Sequence, residues 1–188
     1  LDHGNIEQRE TLLTIAEEAL MRVHPETILP NVVQIEDQEL VIDTERYDLD
    51  RVENIYIFGA GKGSLATVSA LATALDGRYS RAIAVEKVGQ SIDIPGIDVF
   101  ESGHPLPTEA GLHASEVVLD MLTSAGEEDI VFACVTGGAS AMLPYPAGDI
   151  SLSDLRDVTE ILLNAGLPID EINTVRKQLS TLKGGQLA

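Results

Sequence analysis

The chain has 188 residues, 44% of them hydrophobic, which suffices for the core of one α/β domain. Twelve basic residues against 31 acidic ones give a formal net charge of −19, a field that repels nucleic acid and anionic membranes. No apolar run reaches membrane-spanning length, no signal-peptide pattern opens the chain, and the single cysteine, Cys134, excludes an internal disulfide, as suits a reducing cytoplasm.

From Asn5 to Val23, apolar residues at Ile6, Leu12, Leu13, Ile15, Ala16, Ala19, Leu20 and Val23 follow the period of an amphipathic helix, which Pro25 and Pro30 are expected to end. Val32 to Ile35 and Leu40 to Ile42, around the acidic turn at residues 36–39, read as a hairpin. Asn54 to Phe58 is a short strand, with a helix following over Lys62 to Leu75. Ala82 to Glu86 and Asp98 to Phe100 are further strands, and Thr108 to Leu122 is a helix with Glu109 in its first turn. Ile130 to Val135 is the most apolar strand. Ser153 to Leu163 is a helix capped by Ser151 or Ser153; Gly166-Leu167-Pro168 breaks it, and helical spacing resumes from Ile169 to Leu182.

Strands that are continuous apolar runs, alternating with helices, predict a single α/β layered domain with a mostly parallel sheet covered by helices on both faces. In such sheets ligands bind beyond the carboxyl ends of strands, where glycine-containing turns follow Phe58, Phe100 and Val135.

The acidic excess is spread along the chain, a composition expected of a protein working in high salt. Against it stand only four lysines, Lys62, Lys87, Lys177 and Lys183, and retention in so acidic a chain marks them as candidates for function. Lys62 lies in the turn Gly59-Ala60-Gly61-Lys62-Gly63-Ser64, whose position before a helix predicts an anion at the helix start. The turn is not a dinucleotide fingerprint, because Ser64 stands at the third glycine, although Glu86 lies where a ribose-binding acid belongs. Nor is it a P-loop, since Tyr56 holds the place of its first glycine.

After the last strand, Thr136, Gly137, Gly138 and Ser140 form a second candidate anion nest. Met142 stands where a nucleophile elbow around Ser140 needs glycine, which disfavours a hydrolase, and Cys134 reads as core. Arg176, Lys177 and Lys183 put three cations in eight residues, with Asn173 and Ser180 on the same helical stripe. Phosphates or a carboxylate are their natural guests. His104, in Gly103-His104-Pro105-Leu106-Pro107, is a candidate ligand contact in a shaped loop.

Together GAGKGS, GHPLPTEAG, TGGASAMLPYP and INTVRKQLSTLKGGQLA, with AVEKVG around Lys87, resemble the glycerate 2-kinase family from about Ile55 to Ala188. Gly63, Thr108, Thr136, Ala139 and Gln178 depart from the family pattern of Ala, Asp, Ser, Gly and His. The resemblance implies an N-terminal Rossmann-like domain, residues 1–188, of a longer kinase whose C-terminal domain the chain lacks. It implies transfer of phosphate from ATP, with Mg²⁺, to the 2-hydroxyl of D-glycerate, and leaves oligomeric state open. Catalytic roles then fall to Lys62, Arg176 and Lys183. Binding of substrate or nucleotide falls to Gly61, Gly63, Ser64, Lys87, His104, Gly137, Gly138, Ser140, Asn173, Lys177 and Gly184, without deciding which group meets ATP and which meets glycerate. An NAD(P)-dependent hydroxypyruvate reductase, a label some relatives carry, and a ligand-binding domain inactive on its own remain the alternatives.

Overall fold

A computed structural model describes residues 4–187. The chain begins with helices α1 (Ile6–Arg22) and α2 (Pro25–Val32) and a three-stranded antiparallel sheet, β1 (Val33–Glu36), β2 (Glu39–Ile42) and β3 (Glu45–Asp48). Helix α1 ends at Arg22, ahead of Pro25 as expected; the unforeseen feature is α2, which Pro25 opens from its first position, where its missing N–H has no intrahelical partner to lose. The expected hairpin gains β3, whose Arg46 bridges Glu39 at 2.7 Å and Glu36 at 2.8 Å across the sheet.

Four parallel strands follow: β4 (Ile55–Ala60), β5 (Arg81–Lys87), β6 (Asp98–Ser102) and β7 (Ile130–Val135), in the order β6-β5-β4-β7. Helix α3 (Ser64–Ala74) joins β4 to β5, and α4 (Glu109–Ser124) joins β6 to β7. Alternation of side chains sorts β4 and β5 between two cores. Ile55, Ile57, Ala82 and Ala84 pack with Leu65, Val68, Leu71 and Leu75 of the α3 region. Phe58, Ala60, Ile83 and Val85 pack with Ala114, Val118 and Met121 of α4. The predicted α/β fold with helices flanking a parallel sheet is thus observed.

Coverage of both faces fails at β7. Ile130, Phe132 and Cys134 pack toward the α3 side, but Val131 is 39% and Val135 65% exposed. Helix α4 packs over β6 and β5 and leaves the same face of β7 open. The chain ends with α5 (Ala139–Met142), α6 (Leu152–Asn164) and α7 (Ile169–Gln178). Ser151 caps α6 in a reciprocal arrangement with Asp154, and α7 stops four residues short of Leu182. Among the described residues no helix is long and apolar enough to cross a membrane.

Candidate functional site

Growth of the sheet reverses at β4, with β5 and β6 added on one side and β7 on the other. The crevice between the carboxyl ends of β4 and β7 is where such sheets hold ligands. Both strands end in glycine turns there, and three main-chain bonds join the region. The Thr136 N–H donates to Ala60 (2.9 Å), the Gly61 N–H to Val85 (3.1 Å) and the Lys62 N–H to Gly137 (2.8 Å). The approach is so close that a Cβ on Gly61, whose φ is +117°, would run into the Thr136 hydroxyl.

Three further segments converge on these turns. Lys87 ends β5, the next strand. His104 follows β6 and lies against the second turn, where a Cβ on Gly138 (φ +96°) would stand 2.8 Å from its ring. Burial holds the His104 pKa below its ordinary value, and the positive charges of Lys62, Lys87 and Arg176 lower it further. One imidazole therefore senses cations from the β4 turn, β5 and α7 together.

Lys183 closes the arrangement from the far end of the chain. Its ammonium donates to the Leu143 carbonyl (3.0 Å) and the Ser180 hydroxyl (3.3 Å). Segment 179–181 pairs with 145–147 through Ala147 N–H to Leu179 and Thr181 N–H to Tyr145, both 3.1 Å. Burial, with the charge of Arg176 as a second cause, brings the Lys183 pKa down to about 8. The Arg176 guanidinium is also pushed down by burial.

The predicted residues divide into those the fold gathers and those it does not. Lys62, Lys87, His104, Gly138, Arg176 and Lys183 gather at one end of the sheet. Gly137 supplies the carbonyl that fixes Lys62, and Ser140 lies within α5. Asn173 and Lys177 stay exposed on α7, with the Lys177 stem over Gly184. Ser64 is fully buried, and its hydroxyl donates to Val85 (3.1 Å) and Glu86 (3.2 Å). Glu86, considered for a ribose, is 2% exposed and accepts the N–H groups of Gly63 (3.3 Å) and Leu65 (2.7 Å). The anion at the start of α3 is thus the protein's own carboxylate. Cys134 faces core, where burial pushes its thiol up to about 11.

A cleft of about 790 Å³ opens beside Lys62, walled by Leu65, Ser69, Ile92 and Ile94 with Glu86 at its floor. Sequence reasoning missed this wall, because residues 88–97 carry no periodic pattern. A second cleft, of about 380 Å³, lies between Asn54, Tyr79 and Ser80 at the amino ends of β4 and β5, away from the cations. The clustered cations fit a ligand with several anionic groups. Among the described residues no three His, Cys, Asp or Glu side chains gather as a metal site.

Residues 11–188 match the family described as a domain of unknown function, DUF4147. A glycerate 2-kinase of Pyrococcus horikoshii is 35% identical over 180 residues, 96% of this chain and 40% of that protein. An Agrobacterium vitis protein, named as a candidate hydroxypyruvate reductase, is 38% identical over 132 residues, 70% of this chain and 30% of that one. The crystal structure of a Thermotoga maritima glycerate kinase superposes with a TM-score of 0.77 at 28% identity, over 97% of this chain and 41% of its own. The chain therefore spans less than half the length of the relatives it matches. A family match that runs through nearly every residue, together with the fold shared with a solved relative, settles the kinship: the chain belongs to the DUF4147 family, with glycerate 2-kinases among its relatives.

Proposed function

We propose that the chain is the N-terminal, Rossmann-like domain of a longer D-glycerate 2-kinase, using ATP and Mg²⁺ to make 2-phosphoglycerate. The observation that carries this reading is the cluster of Lys62, Lys87, Arg176 and Lys183 around one crevice in a chain of net charge −19. The strand order β6-β5-β4-β7 corresponds to strands 3-2-1-4 of a Rossmann sheet and spans its switch point, which supports a nucleotide at this end. The names of the Pyrococcus and Thermotoga relatives point the same way.

Phosphoryl transfer asks a protein chiefly to position two reactants and offset the charge between them. Lys62 is the cation for the transferring phosphate or the acceptor. Arg176 offers a planar fork to a phosphate or carboxylate, and Lys183 a point charge held by Leu143 and Ser180. Bound ATP would supply the phosphoryl group, and Mg²⁺, commonly held through the phosphates with one or two carboxylates, would offset its charge. The acidic surface suits a cytoplasm of high salt.

The reductase reading, kept alive by the Agrobacterium name, loses its ribose acid, because Glu86 is buried against Gly63 and Leu65. The decisive assay supplies the full-length protein with ATP, Mg²⁺ and D-glycerate. ADP formation that requires glycerate is the expected result. NADH oxidation by hydroxypyruvate without ATP turnover would overturn it, and ligand binding with neither activity would favour a binding domain.

A further inference from the structure

Helix α3 has no capping side chain of its own. Its N-cap is Gly63 in the left-handed conformation (φ +82°), so the first N–H groups of the helix need an outside acceptor. Glu86, next to the last residue of the following strand, supplies it. One carboxylate oxygen accepts Leu65 N–H (2.7 Å) and the Ser64 hydroxyl (3.2 Å), and the other accepts Gly63 N–H (3.3 Å). The group is 2% exposed, and its charge sits against the positive end of the α3 dipole. A phosphate at this helix start would have to displace a buried carboxylate. Lys62 immediately precedes the residues Glu86 holds, and its own N–H is tied to Gly137 (2.8 Å). The backbone of Lys62 is therefore fixed on both sides while the residue stays exposed, on the rim of the cleft that has Glu86 as its floor.

We propose that Glu86 is the positioning residue for Lys62: it fills the anion seat at the start of α3 and leaves the Lys62 ammonium, rather than the amides of the turn, to meet the anionic substrate. This rests on the reading of Lys62 as a substrate contact. It assigns the glycine turn an aiming role in place of the phosphate-cradling role such turns usually have.

The full-length protein tests it in two independent ways. Glu86→Gln keeps the size of the side chain but sets an amide against N–H donors, and Glu86→Ala removes the acceptor. Either should lower kcat about tenfold or more through misplacement of the lysine. In a Lys62→Ala background the same change should cost nothing further, since the effect passes through Lys62. Unchanged kcat in Glu86→Gln, or an equal loss with and without Lys62, overturns the proposal. The second readout needs no turnover. With ¹⁵N-glycine labelling, the Gly63 amide should ignore added inorganic phosphate in the wild type and shift in Glu86→Ala. A wild-type Gly63 amide that moves with phosphate also overturns it. Failure of the kinase reading would look different, as absence of glycerate-dependent ADP formation in the wild type, and the amide titration would still decide the role of Glu86.

Discussion

At the scale of the residue, two lysines ask different things of the fold. Lys62 is exposed on a fixed backbone and has its charge available to a ligand. Lys62→Ala in the full-length protein should cut turnover by about 100-fold or more, the usual effect of removing one positioned electrostatic contact, with glycerate-dependent ADP formation as the measurement. Near-normal activity would reject its role. Lys183 is half-buried, and its pKa lies near 8 instead of 10.5. Its charged form is penalised by folding, so the unfolded chain binds more protons between about pH 8 and pH 10.5. The stability contribution of Lys183 therefore rises as pH climbs through that window. Denaturant unfolding at about pH 7.5 and about pH 10 should show the wild type gaining on Lys183→Met at the higher pH; a flat difference would show that the ammonium is not penalised. The scarcity of lysine made both residues visible in the sequence. Glu86 was visible as an acid at a strand end, but its partner was not. The helix it caps begins 22 residues earlier, at Ser64 behind a glycine N-cap with nothing to offer, and only the register of β4 against β5 brings the two together.

Among the elements, burial separates those that hold the site from those that surround it. Helix α3 buries Leu65, Val68 and Leu71 against β4 and β5, and thereby sets where the Lys62 turn begins. Helix α1 has the amphipathic spacing of a packed helix yet buries none of its residues, with Leu12, Leu13 and Leu20 all exposed. Leu71→Ala should therefore destabilise the chain by about 2–5 kcal/mol, whereas Leu13→Ala should cost less than about 0.5 kcal/mol, as read from chemical denaturation midpoints. Comparable losses would mean that α1 packs on the domain after all. Its place after a strand located α3, first-turn and cap signals located α4 and α6, and periodicity located α1. It could not report which stripes find a partner. It misjudged β7 for the same reason, since an apolar strand reads alike whether one face or both are covered. Helix α2 was hidden by proline, which opens a helix as readily as it ends one.

Over the whole molecule, charge governs how the fold responds to its solvent. Thirty-one acids face 12 basic residues, and several of those bases are held in the crevice or in pairs such as Arg81 with Asp98 (3.1 Å). Exposed acids therefore outnumber the cations near them, and their mutual repulsion opposes the compact state. Added KCl screens that repulsion beyond roughly 10 Å at 0.1 M and about 3 Å at 1 M. The melting temperature should rise as KCl increases from about 0.1 M to about 2 M; a decrease would reject the high-salt reading of the composition. The α/β class, the parallel sheet and the ligand-bearing end were legible in advance, because apolar runs and glycine turns mark them locally. The reversal of sheet growth at β4 was not, since it depends on the pairing of Ile55 with Ile130 and of Ala60 with Val135, segments far apart in the chain.

The hydrogen bond from the Lys62 N–H to the Gly137 carbonyl joins the two turns that flank the crevice. It acts as a gauge. A ligand group met by Lys62 and another seated at Gly138 or Ser140 are presented from two stretches of main chain tied directly to each other. Substitutions at Arg176 or His104 should therefore change how tightly an acceptor is gripped and leave the length of acceptor tolerated unchanged. Selectivity for a short hydroxy acid over one extended by a carbon would then be a property of two backbones and the 2.8 Å between them.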